Sequence, residues 1–157
     1  MYYYSYADQA NTNGTASTDT LIALFRSIAG LRTQFRKLQL GVFAAPTDNN
    51  VRVQLRRTTT LVQTTGSQYT ASPTQADAPA ASTLVRNGSI TVGTGALATN
   101  PLVQLAYNMR GTAMWAAFIE DETISITGAT APNGELVIDT QASVASVPVT
   151  VTSLFSE

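Results

Sequence analysis

Three groups of residues in this chain have types and spacings that suit recognition or catalysis. They are the tyrosines Tyr2, Tyr3, Tyr4 and Tyr6, a basic stretch from Arg26 to Arg57, and the acidic triplet Glu120-Asp121-Glu122. The basic stretch holds seven of the nine cations, Arg26, Arg32, Arg36, Lys37, Arg52, Arg56 and Arg57, opposed there only by Asp48. Ordinary solvated arginines account for the stretch, and guanidinium forks also suit carboxylate or phosphate partners, so these side chains fit an acidic protein surface if they share one face. Nucleic acid is the weaker choice, because the whole chain carries a net charge of −1 and its aromatics do not interleave with the arginines. Each tyrosine offers a large contact area and a hydroxyl to a partner surface.

The acidic triplet carries little by itself. Hard-cation sites need about six or more oxygens, of which one turn supplies a few. Glycoside hydrolysis needs two carboxyl groups on opposite sides of a bond, about 5 to 10 Å apart. A solvated hairpin turn accounts for the triplet more simply. Trp115, set among Ala113, Met114, Ala116, Ala117 and Phe118, reads as part of a core rather than as a sugar platform.

The residue types that are missing narrow the mechanisms further. With no histidine and no cysteine in 157 residues, Ser-His-Asp and Cys-His systems, imidazole metal ligation, zinc knuckles and disulfides are all excluded. Ten carboxylates and the single lysine, Lys37, remain for acid–base work. We expect no enzyme, no cofactor and no metal. Charged residues make up 12% of the chain, which gives little repulsion between copies and leaves association open as its ordinary condition. The amino terminus lacks a basic region followed by an apolar core, and the longest apolar run, Ala113 to Ile119, is too short to span a bilayer. Folding in a cytoplasm without a membrane partner is the expectation.

The elements that must position these residues read as strands. Residues 1–18 join the tyrosines to a polar Asn, Thr and Gly tract without hydrophobic period, as expected for an extended arm that orders on a partner. Leu21, Leu24, Phe25 and Ile28 fit a helix as well as a strand, and the strand-like segments that follow tip the reading to strand. From Leu31 the alternation Leu31, Thr33, Phe35 restarts after Arg36 and Lys37 as Leu38, Leu40, Val42, a phase shift that marks a bulge. Val51, Val53 and Leu55 then alternate with Arg52, Gln54 and Arg56, and the two segments read as an antiparallel pair across the turn at 45–50. Residues 62–83 form a long surface excursion that could wrap a neighbouring subunit. Later blocks at 89–92, 102–107, 112–119, 123–127, 136–139 and 147–155 are each bounded by turn or acidic residues. Pro132-Asn133-Gly134 is the clearest turn signal, and Pro148 marks a strand start or edge. Eight or nine strands at this spacing favour an all-β jelly-roll sandwich.

In order along the chain, Leu24-Phe25-Arg26, Leu31-Arg32, the strand ending in Val42-Phe43, and Asn49-Asn50-Val51-Arg52-Val53-Gln54-Leu55-Arg56-Arg57-Thr58-Thr59 resemble the decoration, or cement, proteins of tailed-bacteriophage capsids. Thr64-Thr65-Gly66 with Pro73 to Ala81, Arg110-Gly111-Thr112 ahead of a Trp-bearing strand, Gly134-Glu135-Leu136 and the final Val-rich strand extend the resemblance over most of residues 20–157. Leu61-Val62-Gln63 and the tyrosine-rich segment depart from it. The resemblance implies a jelly-roll subunit, commonly a homotrimer, that binds the major capsid protein on the outside of the head and stiffens the shell. On this basis residues 1–18 are the arm and 19–157 the sandwich domain, with Tyr2, Tyr3, Tyr4, Tyr6, Arg52, Arg56 and Arg57 as partner-binding candidates. A receptor- or glycan-binding tail module is the main alternative, and a carboxylate-based hydrolase a distant third.

Overall fold

The computed structural model describes residues 1–11, 20–42, 48–60, 67–87, 97–128, 134–142 and 147–157. The turn signals at 45–47 and Pro132-Asn133, the block 89–92 and residues 12–18 lie outside them. Twelve strands form within the described residues: β1 (Tyr3–Asn11), β2 (Thr20–Arg26), β3 (Arg32–Val42), β4 (Asn50–Arg57), β5 (Ser67–Tyr69), β6 (Ser72–Pro73), β7 (Leu84–Asn87), β8 (Val103–Asn108), β9 (Ala113–Ala116), β10 (Ile124–Thr127), β11 (Glu135–Ala142) and β12 (Pro148–Ser156). All pair antiparallel in two sheets. Sheet A runs β10-β3-β12-β1-β6, with β9 also on β3, and sheet B runs β5-β7-β2-β11-β4-β8.

Period-two alternation supplies the shared core. Val51, Val53 and Leu55 of β4, Leu136 and Ile138 of β11, and Phe25 of β2 face inward from sheet B, meeting Val149, Val151 and Phe155 of β12 and Phe35, Leu38 and Leu40 of β3 from sheet A. Phe25 joins the sheets. Its ring lies edge-on to Phe35 at 4.8 Å, to Phe155 at 5.9 Å and to Tyr6 at 5.6 Å. Edge-to-face pairs of this kind are worth about 0.5–1.5 kcal/mol each beyond their buried area.

Several expectations hold in detail. Residues 20–26 form a strand, closed by a turn in which Gly30 takes φ +81, Leu31 N–H donates to Ile28 O at 3.1 Å and the Ser27 hydroxyl donates to Leu31 O at 2.9 Å. The phase shift in β3 is a bulge: Phe155 faces Phe35 while Leu154 faces Lys37, leaving Arg36 as the extra residue. Pro148 opens β12, where its missing N–H costs no interior ladder bond.

Other expectations change. Tyr3–Asn11 is no loose arm but strand β1, paired with β12 along its whole length and flanked on its far side by β6. Alternating tyrosines gave it the inward face it needed, because Tyr4 and Tyr6 are only 1% and 5% exposed. β3 and β4 are not a hairpin pair and lie in opposite sheets: β12, β9 and β10 occupy the two edges of β3, and β11 and β8 those of β4. Alternation fixes which face of a strand is buried, and leaves its partner to the chain's crossings. The 62–83 excursion, described from residue 67, packs on its own sandwich, with β6 pairing β1 in one sheet and β5 reaching β2 through β7 in the other. Two backbone N–H groups near its end, of Ser82 and Thr83, donate to the Glu157 carboxylate at 3.0 and 2.6 Å.

Candidate functional site

The arginines of β4 are spent inside the molecule. Arg56 points outward from sheet B and forms an ion pair with Asp139 of the neighbouring strand at 3.3 Å, the carboxylate being 1% exposed. It also donates to Gln54, which in turn bonds Gln104 on β8. Arg57 reaches across to sheet A and donates to Ser125 O at 2.7 Å, and burial lowers its pKa. Arg52 lies between Gln141 and Ala106 and is partly exposed. On β2, separated from β4 by β11, Arg26 pairs with the fully buried Glu135, whose other oxygen accepts the Thr58 hydroxyl at 2.9 Å. Leu97 packs over Leu24 and Val137 on this same side, forming a second small apolar cluster. The single basic face expected from a β3–β4 pair does not exist, since its members belong to two sheets.

The tyrosines divide by parity. Tyr4 and Tyr6 are core residues and are withdrawn from contact with any partner, while Tyr3 faces out and Tyr2 is 39% exposed. Above the Tyr3 ring sits the Arg36 guanidinium, 5.5 Å from the centroid, a distance suited to a cation–π contact. Arg36, the extra residue of the bulge opposite β12, gathers three segments: it donates to the Ser156 hydroxyl at 3.3 Å, to Glu120 at 3.2 Å and to the Met1 sulfur at 3.4 Å.

Glu120 belongs to the acidic triplet, expected as a solvated hairpin turn. β9 and β10 run in the same direction along one edge of β3, Ala116 opposite Lys37 and Ile124 opposite Phe35. They form one interrupted strand, so the acidic triplet between them is a 3-10 turn within an excursion of residues 117–123 rather than a hairpin turn. Ala117 N–H makes the last ladder bond, to Arg36 O at 2.8 Å, and the chain then leaves the sheet. Its own acids brace it. Phe118 N–H donates to the Glu122 carboxylate at 2.9 Å, and the Thr123 N–H and hydroxyl donate to Glu120 O at 3.1 and 2.7 Å.

Within this braced excursion, Phe118 is 89% and Ile119 59% exposed. Met1, tied to the same Arg36, is 64% exposed. Full burial of a side chain such as Phe or Ile is worth about 1.5–3 kcal/mol, so two such groups held side by side in water are apolar surface whose burial would be favourable. Trp115, by contrast, lies opposite Leu38 and packs partly buried against the core, as expected. A signal for the apolar tip was present in the sequence: alternation stops at Ala116-Ala117-Phe118-Ile119, and three acids follow at once.

A second surface feature is a groove of about 380 Å³ along β1 and β12, lined by Ala7, Asp8, Gln9, Thr150, Val151 and Thr152. The Asp8 carboxylate there accepts the Tyr6 hydroxyl and the Gln9 N–H, both at 2.8 Å, and so serves its own strand. Among the described residues, no cluster of three or more acidic side chains is placed to hold a metal ion, and no helix is long and apolar enough to cross a membrane. No protein-family model and no curated protein matches the chain.

Proposed function

We propose that this chain is a non-enzymatic structural protein of a tailed-phage virion, a decoration protein that binds the outer surface of the head and reinforces contacts between major capsid protein subunits. The observation that carries the reading is the Phe118–Ile119 tip, an apolar contact element braced outside a closed sandwich. A reinforcing protein needs rigid contact surfaces and no reactive group, because it acts by adding interface across the seams at which a shell parts.

Strand order supports the finer fold reading, a jelly roll. If β9 and β10 count as one strand and β5 to β7 as an insertion, eight strands remain. The first, third, interrupted and last of them make up sheet A, in the order β1-β12-β3-β9/β10, and the others make up sheet B in the order β2-β11-β4-β8. That is the interleaving of two Greek keys. The contact role belongs to Tyr2, Tyr3, Phe118 and Ile119, with Arg36 between Tyr3 and Glu120; Tyr4, Tyr6, Arg56 and Arg57 serve the fold. Assembly as a homotrimer would multiply each contact through avidity. The site of action is the capsid exterior, after folding in the host cytoplasm.

The test adds purified chain to empty heads of the encoding phage that lack it and images the particles. Density repeating with the capsid lattice, together with a higher melting temperature of the shells, is the expected result. Binding confined to the tail, or to cells and sugars, would replace this reading with the receptor module.

A further inference from the structure

We propose that the 117–123 excursion is a docking knob whose recipient is an apolar recess rimmed by lysine or arginine on a different protein, rather than a second copy of this chain. The inference deepens the binding role proposed above and rests on it.

Two apolar side chains, Phe118 and Ile119, form the tip of the knob and the three acidic residues that follow them in the chain, Glu120, Asp121 and Glu122, its skirt, all exposed, with the Glu120 and Glu122 carboxylates also bracing the excursion through Arg36 and the Phe118 N–H. Two cations, Arg36 and Lys37, stand on β3 at the root of the excursion, and Arg36 is engaged by Glu120. An apolar tip with an acidic skirt is complementary to an apolar recess with a basic rim, where tip burial supplies affinity and the skirt supplies orientation and encounter rate. Two knobs meeting about a twofold axis would set acid against acid, which disfavours self-docking through this element. An anionic membrane surface is disfavoured for the same reason.

Preorganisation strengthens the case. The Glu120–Arg36 bridge at 3.2 Å, the Phe118 N–H bond to Glu122 and the Thr123 bonds to Glu120 fix the backbone before any partner arrives. Binding then orders only the ends of two side chains, so little conformational entropy opposes it.

The test compares the full chain with Phe118→Ser and Asp121→Lys in two assays, after thermal unfolding has verified that the variants fold. In the first, on empty heads of the encoding phage, Phe118→Ser is expected to weaken association by about tenfold or more. Asp121→Lys is expected to weaken it more at low than at high salt. The second assay uses beads carrying phenyl groups together with either amines or carboxylates. The wild-type chain should be retained longer on the phenyl-amine surface, and Phe118→Ser should lose that preference. Equal binding of heads by wild type and Phe118→Ser overturns the knob and leaves the decoration role standing. Failure of the wild type to bind heads sinks the decoration role, and the beads then decide the knob: equal retention of wild type and Phe118→Ser overturns it, and a lost preference supports it. Concentration-dependent self-association that Phe118→Ser abolishes would also overturn the proposal, by assigning the tip to a second copy.

Discussion

The outer faces of the two sheets treat charge and apolar surface in opposite ways. On sheet B, Glu135 and Asp139 are 0% and 1% exposed, each paired with an arginine of an adjoining strand, and Leu24 and Val137 are sealed beneath Leu97. Sheet A leaves Gln39, Met114 and Thr152 open on its outer side, and Phe118 and Ile119 stand clear of its edge. Of the arginines that looked most like partner contacts, Arg56 is therefore committed to the chain's own Asp139 and Arg57 to the Ser125 carbonyl. Two apolar residues at the end of the longest apolar run, Phe118 and Ile119, are left uncovered. Density of charge in a sequence is a poor guide to a docking face when carboxylates on another strand can fold onto it. A buried pair of this kind adds little net stability over an apolar equivalent, yet it is costly to break, so it acts as a constraint on register.

If sheet A depends on β1 as its pairing implies, removing residues 1–11 produces the largest effect. The sheet loses an interior strand along with Tyr4 and Tyr6, and cooperative thermal unfolding should vanish. A truncated protein that still melts in one sharp transition would restore the amino terminus to the status of a detachable arm. Next comes Glu135→Ala, which deprives Arg26 and Thr58 of their common acceptor under the sealed face. The expected loss is about 3 kcal/mol in denaturant unfolding. A cost within about 0.5 kcal/mol, the ordinary range for surface sites, would show that this face is open after all.

A smaller effect depends on pH. Burial pushes the Tyr107 phenol from 10.0 up to about 12, and its hydroxyl donates to Gly41 O at 3.3 Å across the sandwich. The native state thus keeps a proton that the unfolded chain releases. The resulting stability is fully present below pH 10 and is lost as pH rises from 10 through 12. The stability difference between wild type and Tyr107→Phe should shift by that sign over this window, and a constant difference would remove Tyr107 as its source. The smallest effect belongs to Phe118→Ser, whose unfolding free energy should stay within about 0.5 kcal/mol of wild type because the ring touches little of the fold. A large loss would place Phe118 in the core and dissolve the contrast between the faces.

Much of the architecture was legible because β-structure writes its burial into alternate residues. The inward rows Val51-Val53-Leu55 and Val149-Val151, the bulge at Arg36 and the opening of β12 at Pro148 all follow from local pattern. The amino-terminal tyrosines carried the same period-two signal, and the polar tract behind them masked it. The candidate site was far less legible. Arg36 gained its role from Tyr3, Ser156 and Glu120, residues that lie 33, 120 and 84 positions away in the chain. No spacing rule connects such positions.

By itself the sequence determined that the chain would build antiparallel sheets around an aliphatic and aromatic core, and that imidazole and thiol chemistry were closed to it. Side-chain type and parity are local properties, and they settle which face of a strand avoids water. Only the tertiary structure decided that β3 and β4 part company into opposite sheets, that Asp139 and Glu135 claim Arg56 and Arg26, and that the apolar run ending at Ile119 leaves the sheet before its last two residues. Those outcomes turn on which long-range pairings close together, and a strand's own residues do not encode its neighbour.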